Sequence, residues 1–271
     1  MFLECFMFLA TEEGRDLQGE AQFYLGEYYS GYERYDLAEK YWLMAAENGF
    51  VAAWSGLGDI YSFDESLKRD YKKAFEFYSK GAELDNLYCK YRIAEMYRDG
   101  LFVKADPNKH KEIIEELYNL TKDNEEHWQM YPDIAFRYSE ILNNEGRNEE
   151  LTELYSELIV KFEEFIAFRR FTGSIKDLLK TIDRYYQLVD FDEDEMDIYT
   201  VSYMMKKPVR IQFMYDNRFY EIESIDDKDG IIVRFGDKWF RSVEDFYLDA
   251  KIGSDSITSL AEDIDFIEVI S

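Results

Sequence analysis

The sequence predicts a mainly α-helical fold, an α-α superhelical solenoid of paired helices that is followed by a small antiparallel α+β module. Three observations lead to this prediction. Only 3 Pro and 14 Gly occur among 271 residues, which favours long regular elements over loop-rich architectures. Apolar residues recur at helical spacing through most of the chain. After Pro208 the spacing of apolar residues changes to two, as in a strand.

The composition describes a globular chain with a strongly acidic surface. Hydrophobic residues make up 46% of it, enough for a sizeable core, and the net charge is -26. Because nucleic-acid and anionic-lipid binding need clustered Lys and Arg, this charge disfavours both kinds of partner. The acidic field would speed encounter with a basic partner, although the solubility of the chain explains the same charge.

The cysteines and the N-terminus indicate a protein of a reducing compartment. Cys5 and Cys89 are too few for a disulfide framework, so we expect both to be small core residues. The apolar N-terminus contains Glu4 and lacks a basic start, unlike a signal peptide. No apolar stretch approaches the roughly 20 residues that cross a bilayer, so we expect a soluble, cytoplasmic protein without membrane association.

Three consecutive segments share one pattern of anchor residues. The aliphatic anchors Leu25, Leu57 and Ile93 lie 32 and 36 residues apart, so each segment is predicted to be one helix-turn-helix unit. Small residues let the paired helices approach closely, and each unit can bury its remaining apolar face only against a neighbouring unit. The small openers, the aliphatic-small pairs and the tyrosines are Ala21, Ala53 and Cys89; Leu25-Gly26, Leu57-Gly58 and Ile93-Ala94; and Tyr29, Tyr61 and Tyr97.

These units resemble the Sel-one-like branch of the tetratricopeptide repeat superfamily over about residues 19–121. The third loop matches the pattern of that family at Tyr97, Gly100, Val103, Asp106 and Lys109. His110 replaces the usual alanine, and the first repeat departs from the pattern in its loop. The resemblance implies a superhelical array that works by binding another protein.

Further helices extend the predicted array to residue 205. The predicted units are 19–50, 51–86, 87–121 and 130–168, the last being closer to an ordinary tetratricopeptide repeat. A single helix over 174–189 follows, because Ile175, Leu178 and Ile182 recur at helical spacing. The acidic stretch 190–197 marks the boundary region, and the residues after it are predicted to be a linker or a short helix.

Residues 206–271 are predicted to form the α+β module, for which we find no family resemblance. Val209, Ile211 and Phe213 alternate with polar residues or Met214, which predicts a strand, and Asp216-Asn217 favours a hairpin turn. Further strands are expected over 219–225, 231–235, 238–240 and 266–271. A helix is expected to begin after the cap Ser242.

No motif predicts catalysis or a cofactor. The two histidines, His110 and His127, are far from either cysteine in sequence, and phosphate-binding glycine loops and the nucleophile elbow are absent. The stretch 190–197 alternates like the start of a calcium loop, but Glu195 and Val201 stand where such a loop needs Gly and Glu. We therefore expect a protein that is not an enzyme and uses no cofactor or metal.

A protein-binding surface is predicted on the first helices of the repeats. In arrays of this kind the first helix of each unit lines the concave groove, with its packed anchors on the opposite side. Acids at matched positions, together with nearby aromatics, would stack into an acidic and aromatic ladder that suits a basic ligand. A solvated helix face explains the same acids equally well. The predicted ladder consists of Phe23, Glu27, Trp54, Asp59, Tyr91 and Glu95.

Two functions of different classes fit these features. The leading hypothesis is a protein-interaction adaptor whose repeats hold a partner in the concave groove. The alternative is an acidic inhibitor, such as an immunity protein that neutralises a basic nuclease toxin, and the net charge of -26 favours it.

Overall fold

The structure, a computed structural model, describes residues 2–11, 17–63, 69–169, 172–189, 198–228, 230–257 and 265–270. The chain divides into two compact units, Met1–Met130 and Tyr131–Ser271. The predicted domain boundary at residue 205 stays a prediction. In the described part of the chain, no helix has both the length and the apolar character that a membrane span requires.

The first unit is entirely helical over its described residues. Three pairs of helices correspond to the three predicted repeats, and α1, which the repeat pattern does not predict, packs on α2. A short 3₁₀ turn follows at Glu125–His127. The helices are α1 Phe2–Leu9, α2 Gln18–Gly31, α3 Tyr35–Glu47, α4 Ala53–Ser62, α5 Tyr71–Glu83, α6 Leu87–Asp99 and α7 Pro107–Thr121.

Side-chain caps fix where three of these helices begin. The carboxylates of Asp70 and Asp106 each accept hydrogen bonds from two backbone N–H groups of the first turn, in α5 and α7. The Asn86 side chain accepts one from Cys89 and starts α6. At the other end of α6, Gly100 takes the left-handed conformation with φ of 68°, which ends the helix.

Aromatic rings that lie against glycines hold the repeats together. Trp42 on α3 packs against both Gly26 and Gly56, where an added Cβ atom would lie 2.4 and 2.6 Å from the indole ring. Tyr78 on α5 covers Gly58 in the same way, at 2.2 Å. In the first two repeats, the small residue of the aliphatic-small pair therefore leaves space for a ring from the second helix.

The aliphatic anchors lie in the predicted core. Leu25 and Leu57 are fully buried, whereas Ile93 is partly buried against the cluster that contains Leu57. His110 is buried, with its Nδ1 atom 3.1 Å from the carbonyl oxygen of Ala94, as expected for a residue at a packing position. Cys89 is a fully buried core residue, as predicted.

The second unit begins with four helices, α8 Tyr131–Glu145, α9 Asn148–Arg169, α10 Thr172–Leu188 and α11 Ile198–Met204. The predicted hairpin and the single helix after it are therefore confirmed. Phe136 on α8 contacts Phe162 on α9, and Tyr186 on α10 hydrogen-bonds Thr200 on α11. The acidic stretch 190–197 and its rejected calcium loop lie outside the described residues.

An antiparallel sheet of five strands follows, in the order β4-β3-β2-β1-β7. Ser242 caps α12 as predicted, by accepting a hydrogen bond from the N–H group of Asp245. A two-stranded hairpin of β5 and β6, which the sequence pattern does not predict, comes after α12. The elements are β1 Val209–Tyr215, β2 Arg218–Asp227, β3 Gly230–Phe235, β4 Lys238–Phe240, α12 Val243–Asp249, β5 Lys251–Ile252, β6 Asp255–Ser256 and β7 Asp265–Ile270.

Candidate functional site

The predicted ladder lies on the three first helices of the repeats. α2 contacts α4, and α4 contacts α6, so the first helices are direct neighbours within the first unit. Each of them carries one acid and one aromatic residue of the ladder. Phe23 and Glu27 lie on α2, Trp54 and Asp59 on α4, and Tyr91 and Glu95 on α6.

The structure brings the first two acids of the ladder together. Glu27 is an exposed residue of α2, a helix that contacts α4, and its carboxyl group is partly screened from water. This loss of solvent, and then the negative charge of Asp59, raise the pKa of Glu27. Among the described residues Glu27 makes no ion pair or hydrogen bond through its side chain, so its charge stays available to a partner.

Asp59 is held in a polar cluster of its own. Its carboxylate accepts hydrogen bonds from the hydroxyls of Tyr78 at 2.6 Å and Tyr88 at 3.2 Å. Arg92 on α6 donates to the Tyr78 hydroxyl at 3.3 Å and to Ser62 at 3.4 Å. Loss of solvent raises the pKa of the Asp59 carboxyl, and the bond from Tyr78 and the charge of Arg92 offset part of that rise. Asp59 therefore joins α4, α5 and α6 as well as facing Glu27.

Glu95, the third acid, is less accessible than the ladder hypothesis requires. It is only 7% exposed, and its carboxylate forms an ion pair with Arg98 one turn on, at 2.8 Å. Its charge is thus largely satisfied within α6, and the three acids are unequal. Glu27 is the one that combines exposure with an unsatisfied charge.

The aromatic residues of the ladder also differ in their surroundings. Phe23 packs on Phe50, with ring centroids 4.9 Å apart. Trp54 lies against α5, where its ring stacks on Phe77 and the ammonium group of Lys80 lies 4.8 Å from the ring centroid. Tyr91 is partly buried on α6.

An exposed tyrosine stripe lies on α2 beside Glu27, and the ladder hypothesis missed it. Tyr24, Tyr28 and Tyr32 follow one another at intervals of four residues and are 43%, 40% and 67% exposed. The rings of Tyr28 and Tyr32 lie 4.8 Å apart. The sequence shows the four-residue spacing of these tyrosines, but the neighbouring Tyr29 and the other anchors have the same spacing on the packed face, so spacing does not predict which face is exposed.

The described cysteine of the first unit and His110 are both buried. Burial, and then the charge of Asp59, raise the pKa of the Cys89 thiol to about 12, so it carries no thiolate near neutral pH. The His110 ring is engaged with a backbone carbonyl. Among the described residues of the whole chain, no cluster of three or more His, Cys, Asp or Glu side chains could hold a metal ion.

The fold and this surface define an α-helical repeat protein. Residues 19–50, 55–86 and 87–109 match the family model of the Sel1 repeat, so the chain carries three Sel1 repeats and the predicted resemblance is confirmed. Proteins with Sel1 repeats generally mediate protein-protein interaction. Among curated proteins, none matches the chain.

Two solved structures are similar to parts of the chain. A Sel1 repeat protein from Oxalobacter formigenes is 26% identical over 47% of this chain and 96% of its own, with a TM-score of 0.36. A protective antigen of uropathogenic Escherichia coli with an SLR fold is 18% identical over 74% of this chain and 48% of its own, with a TM-score of 0.44. This chain therefore spans about half the length of the second structure.

Proposed function

We propose that the chain is a cytoplasmic interaction adaptor, not an enzyme, and that it binds a basic protein through the exposed face of its first repeat helices. The observation that carries the proposal is the position of Glu27. Glu27 is an exposed residue that makes no ion pair among the described residues, lies near Asp59, and is flanked on α2 by exposed tyrosines. Sel1 repeats are protein-binding units in general, and the acidic and aromatic groups of this surface suit a basic ligand.

The negative charge and the tyrosine rings of this surface favour a partner that presents Lys or Arg side chains. A cation beside Glu27 would relieve the repulsion between Glu27 and Asp59, which is unfavourable while no partner is bound. The tyrosine rings offer flat apolar area on which an Arg guanidinium can stack, and such a contact contributes about 0.5 to 2 kcal/mol. We therefore expect Glu27 to act mainly on the association rate and the tyrosines mainly on the dissociation rate.

A second candidate function is the neutralisation of a basic enzyme, such as a nuclease toxin. It is favoured by the net charge of -26, because an acidic field can raise the encounter rate of oppositely charged proteins by 10-fold to 1,000-fold. Affinity capture from the source cells separates the two functions. An adaptor returns proteins of several kinds, whereas an inhibitor returns one basic enzyme whose activity falls at an equimolar amount of this chain.

Binding kinetics of the captured partner test the proposed surface. Glu27→Gln should lower the association rate and weaken its salt dependence, whereas Tyr28→Ala should mainly raise the dissociation rate. Glu83→Gln on α5 is the matched control, since Glu83 is also exposed but lies on a second helix. Equal effects of the Glu27 and Glu83 variants would mean that only the overall charge matters, and unchanged constants for Glu27→Gln and Tyr28→Ala would exclude this surface.

A further inference from the structure

A basic cavity lies in the second unit of this otherwise acidic chain. It has a volume of about 480 Å³ and is bordered by α10, the end of α11, β3 and the segment that leads into α12. Leu179 and Val243, both buried, contribute apolar walls. The cationic side chains that line the cavity are Lys176, Lys180, Lys206 and Arg241.

This concentration of positive charge runs against the composition of the chain. The sequence holds 58 acidic and 32 basic residues, yet among the described residues Glu244 is the one carboxylate that lines the cavity, beside four cations. The cations come from α10, from the residues after α11 and from the segment before α12, so the fold brings together groups that are up to 65 positions apart, from Lys176 to Arg241. A helix with one solvated charged face would not produce this convergence.

Two of the four cations have no acidic partner among the described residues, namely Lys176 and Arg241. The other two make pairs that a ligand could replace. Lys180 contacts Asp177 at 3.3 Å with both side chains partly exposed, and Lys206 contacts Asp183 at 2.8 Å. Exposed pairs of this kind contribute at most about 1 kcal/mol. The cavity therefore presents two free cations and two that are weakly held.

We infer that this cavity binds a small molecule that carries two or more phosphate groups. Its volume lies in the range of roughly 300 to 1,000 Å³ that small-molecule sites occupy, and four converging cations match a compact ligand with several negative charges. The Arg241 guanidinium can hold one phosphate through two parallel hydrogen bonds, and the lysines act as point charges on the others. The apolar walls leave room for the organic part of the ligand.

A phosphate-rich polymer fits this site less well than a small molecule. A nucleic acid would extend beyond the cavity over a chain of net charge -26, and the repulsion would grow with each additional phosphate. A small ligand keeps its charge within the basic cavity. The proposed site shares no residue with the repeat surface, so a test of one proposal does not decide the other.

Isothermal titration calorimetry with inorganic tripolyphosphate on the full chain tests the site. We expect one saturable site per chain, and weaker binding of inorganic phosphate because it engages fewer of the cations. Lys176→Gln combined with Arg241→Gln should lower the association constant for tripolyphosphate by about tenfold or more. Both residues are exposed, so the double variant should keep its fold, which a circular dichroism melt verifies.

The matched control combines Arg34→Gln with Lys72→Gln, which makes the same change in charge at exposed positions of the first unit. Its association constant should equal that of the unchanged chain. The proposal is overturned if tripolyphosphate gives no saturable heat, if the cavity variant binds as the unchanged chain does, or if the control variant loses as much affinity. Equal affinities for phosphate and tripolyphosphate would overturn the requirement for two or more phosphate groups.

Discussion

The three repeats of the first unit and the sheet of the second unit use the same acidic composition in opposite ways. In the repeats Glu27 and Asp59 lie close together, and the pKa of each is raised. On the sheet Glu223 lies between Arg210 and Arg234, at 2.7 and 2.8 Å, and these bonds hold its pKa below the ordinary value. On the sheet two arginines pair with Glu223, whereas in the repeats Glu27 makes no ion pair among the described residues.

The two regions also differ in how their cores form. Each repeat packs helices that are adjacent in sequence, and in the first two repeats a ring from the second helix lies against a glycine of the first. The sheet depends on distant partners, since β1 pairs with β2 through a turn but also with β7, where Arg210 lies opposite Ile270. Because the repeats pack locally, short sequence spacings predict them. The pairing of distant strands in the sheet cannot be predicted in this way.

The largest predicted effect concerns the repeat core. Leu57→Ala removes a fully buried side chain between helices and should lower the free energy of unfolding by about 2 to 5 kcal/mol. Leu84→Ala is the control, because Leu84 is 54% exposed after the end of α5 and should change stability by less than about 0.5 kcal/mol. Urea unfolding followed by circular dichroism measures both. Similar values for the two variants would refute the repeat packing described here.

A smaller loss is expected where a ring covers a glycine. The added methyl group of Gly58→Ala would lie 2.2 Å from the Tyr78 ring, so the ring must move, at a cost of about 1 to 3 kcal/mol. Gly31→Ala is the control, since nothing lies within 4 Å of the added group and alanine favours a helix. Thermal melts should therefore show opposite shifts. A stabilised Gly58→Ala variant would mean that the ring does not need this space.

The free energy of unfolding should fall when one buried hydroxyl of the sheet, that of Ser224, is removed. Ser224 is 1% exposed, accepts a hydrogen bond from the N–H group of Val209 at 3.0 Å and donates to the carbonyl of Lys207 at 2.5 Å. Ser224→Ala should cost about 1 to 2 kcal/mol, because it leaves buried backbone groups unsatisfied. Ser254 is exposed, so Ser254→Ala should leave the free energy of unfolding unchanged when both variants are measured by denaturation. Equal stability of the two variants would contradict this role of Ser224.

The pH dependence of stability should have opposite signs in the two regions. The pKa of Glu27 is raised above its ordinary value of 4.5, so this carboxyl stabilises the fold below that pH and loses its contribution as the pH rises through the folded value. The pKa of Glu223 is lowered, so its contribution is present above pH 4.5 and is lost as the pH falls.

Amide variants compared at pH 4 and pH 7 would display the contrast. Relative to the unchanged chain, Glu27→Gln should gain stability as the pH rises, and Glu223→Gln should lose it. Urea midpoints of the three proteins at both pH values measure the difference. The same sign of change for the two variants would contradict the contrast between the regions.

The sequence was informative where function and packing depend on neighbouring residues. The repeat anchors, the cap Ser242 and the alternation that starts at Val209 all follow from local spacing, and the structure has them as predicted. Spacing alone could not place Trp54 against α5, because that contact depends on how the helices pack, whereas the pair of Glu95 and Arg98 within α6 has a spacing of three that the sequence shows.

The basic cavity and the tyrosine stripe needed the structure for different reasons. Lys176 and Arg241 are far apart in sequence and meet only after the second unit has folded. Tyr24, Tyr28 and Tyr32 resemble core residues by type, and the structure shows that they stay exposed although Phe6 of α1 stacks on Tyr24 at 5.3 Å.

Site-specific photo-crosslinking compares the two regions most directly as binding surfaces. A photoreactive phenylalanine derivative would replace either Tyr28, an exposed ring of the repeats, or Phe219, which is 69% exposed on β2. In extracts of the source cells, we predict a crosslinked partner from position 28 that is basic and whose yield falls as salt is added, and no comparable product from position 219. A stronger product from position 219, or none from position 28 in extracts where the unmodified chain captures a partner, would contradict the proposal that the repeats bind through this face.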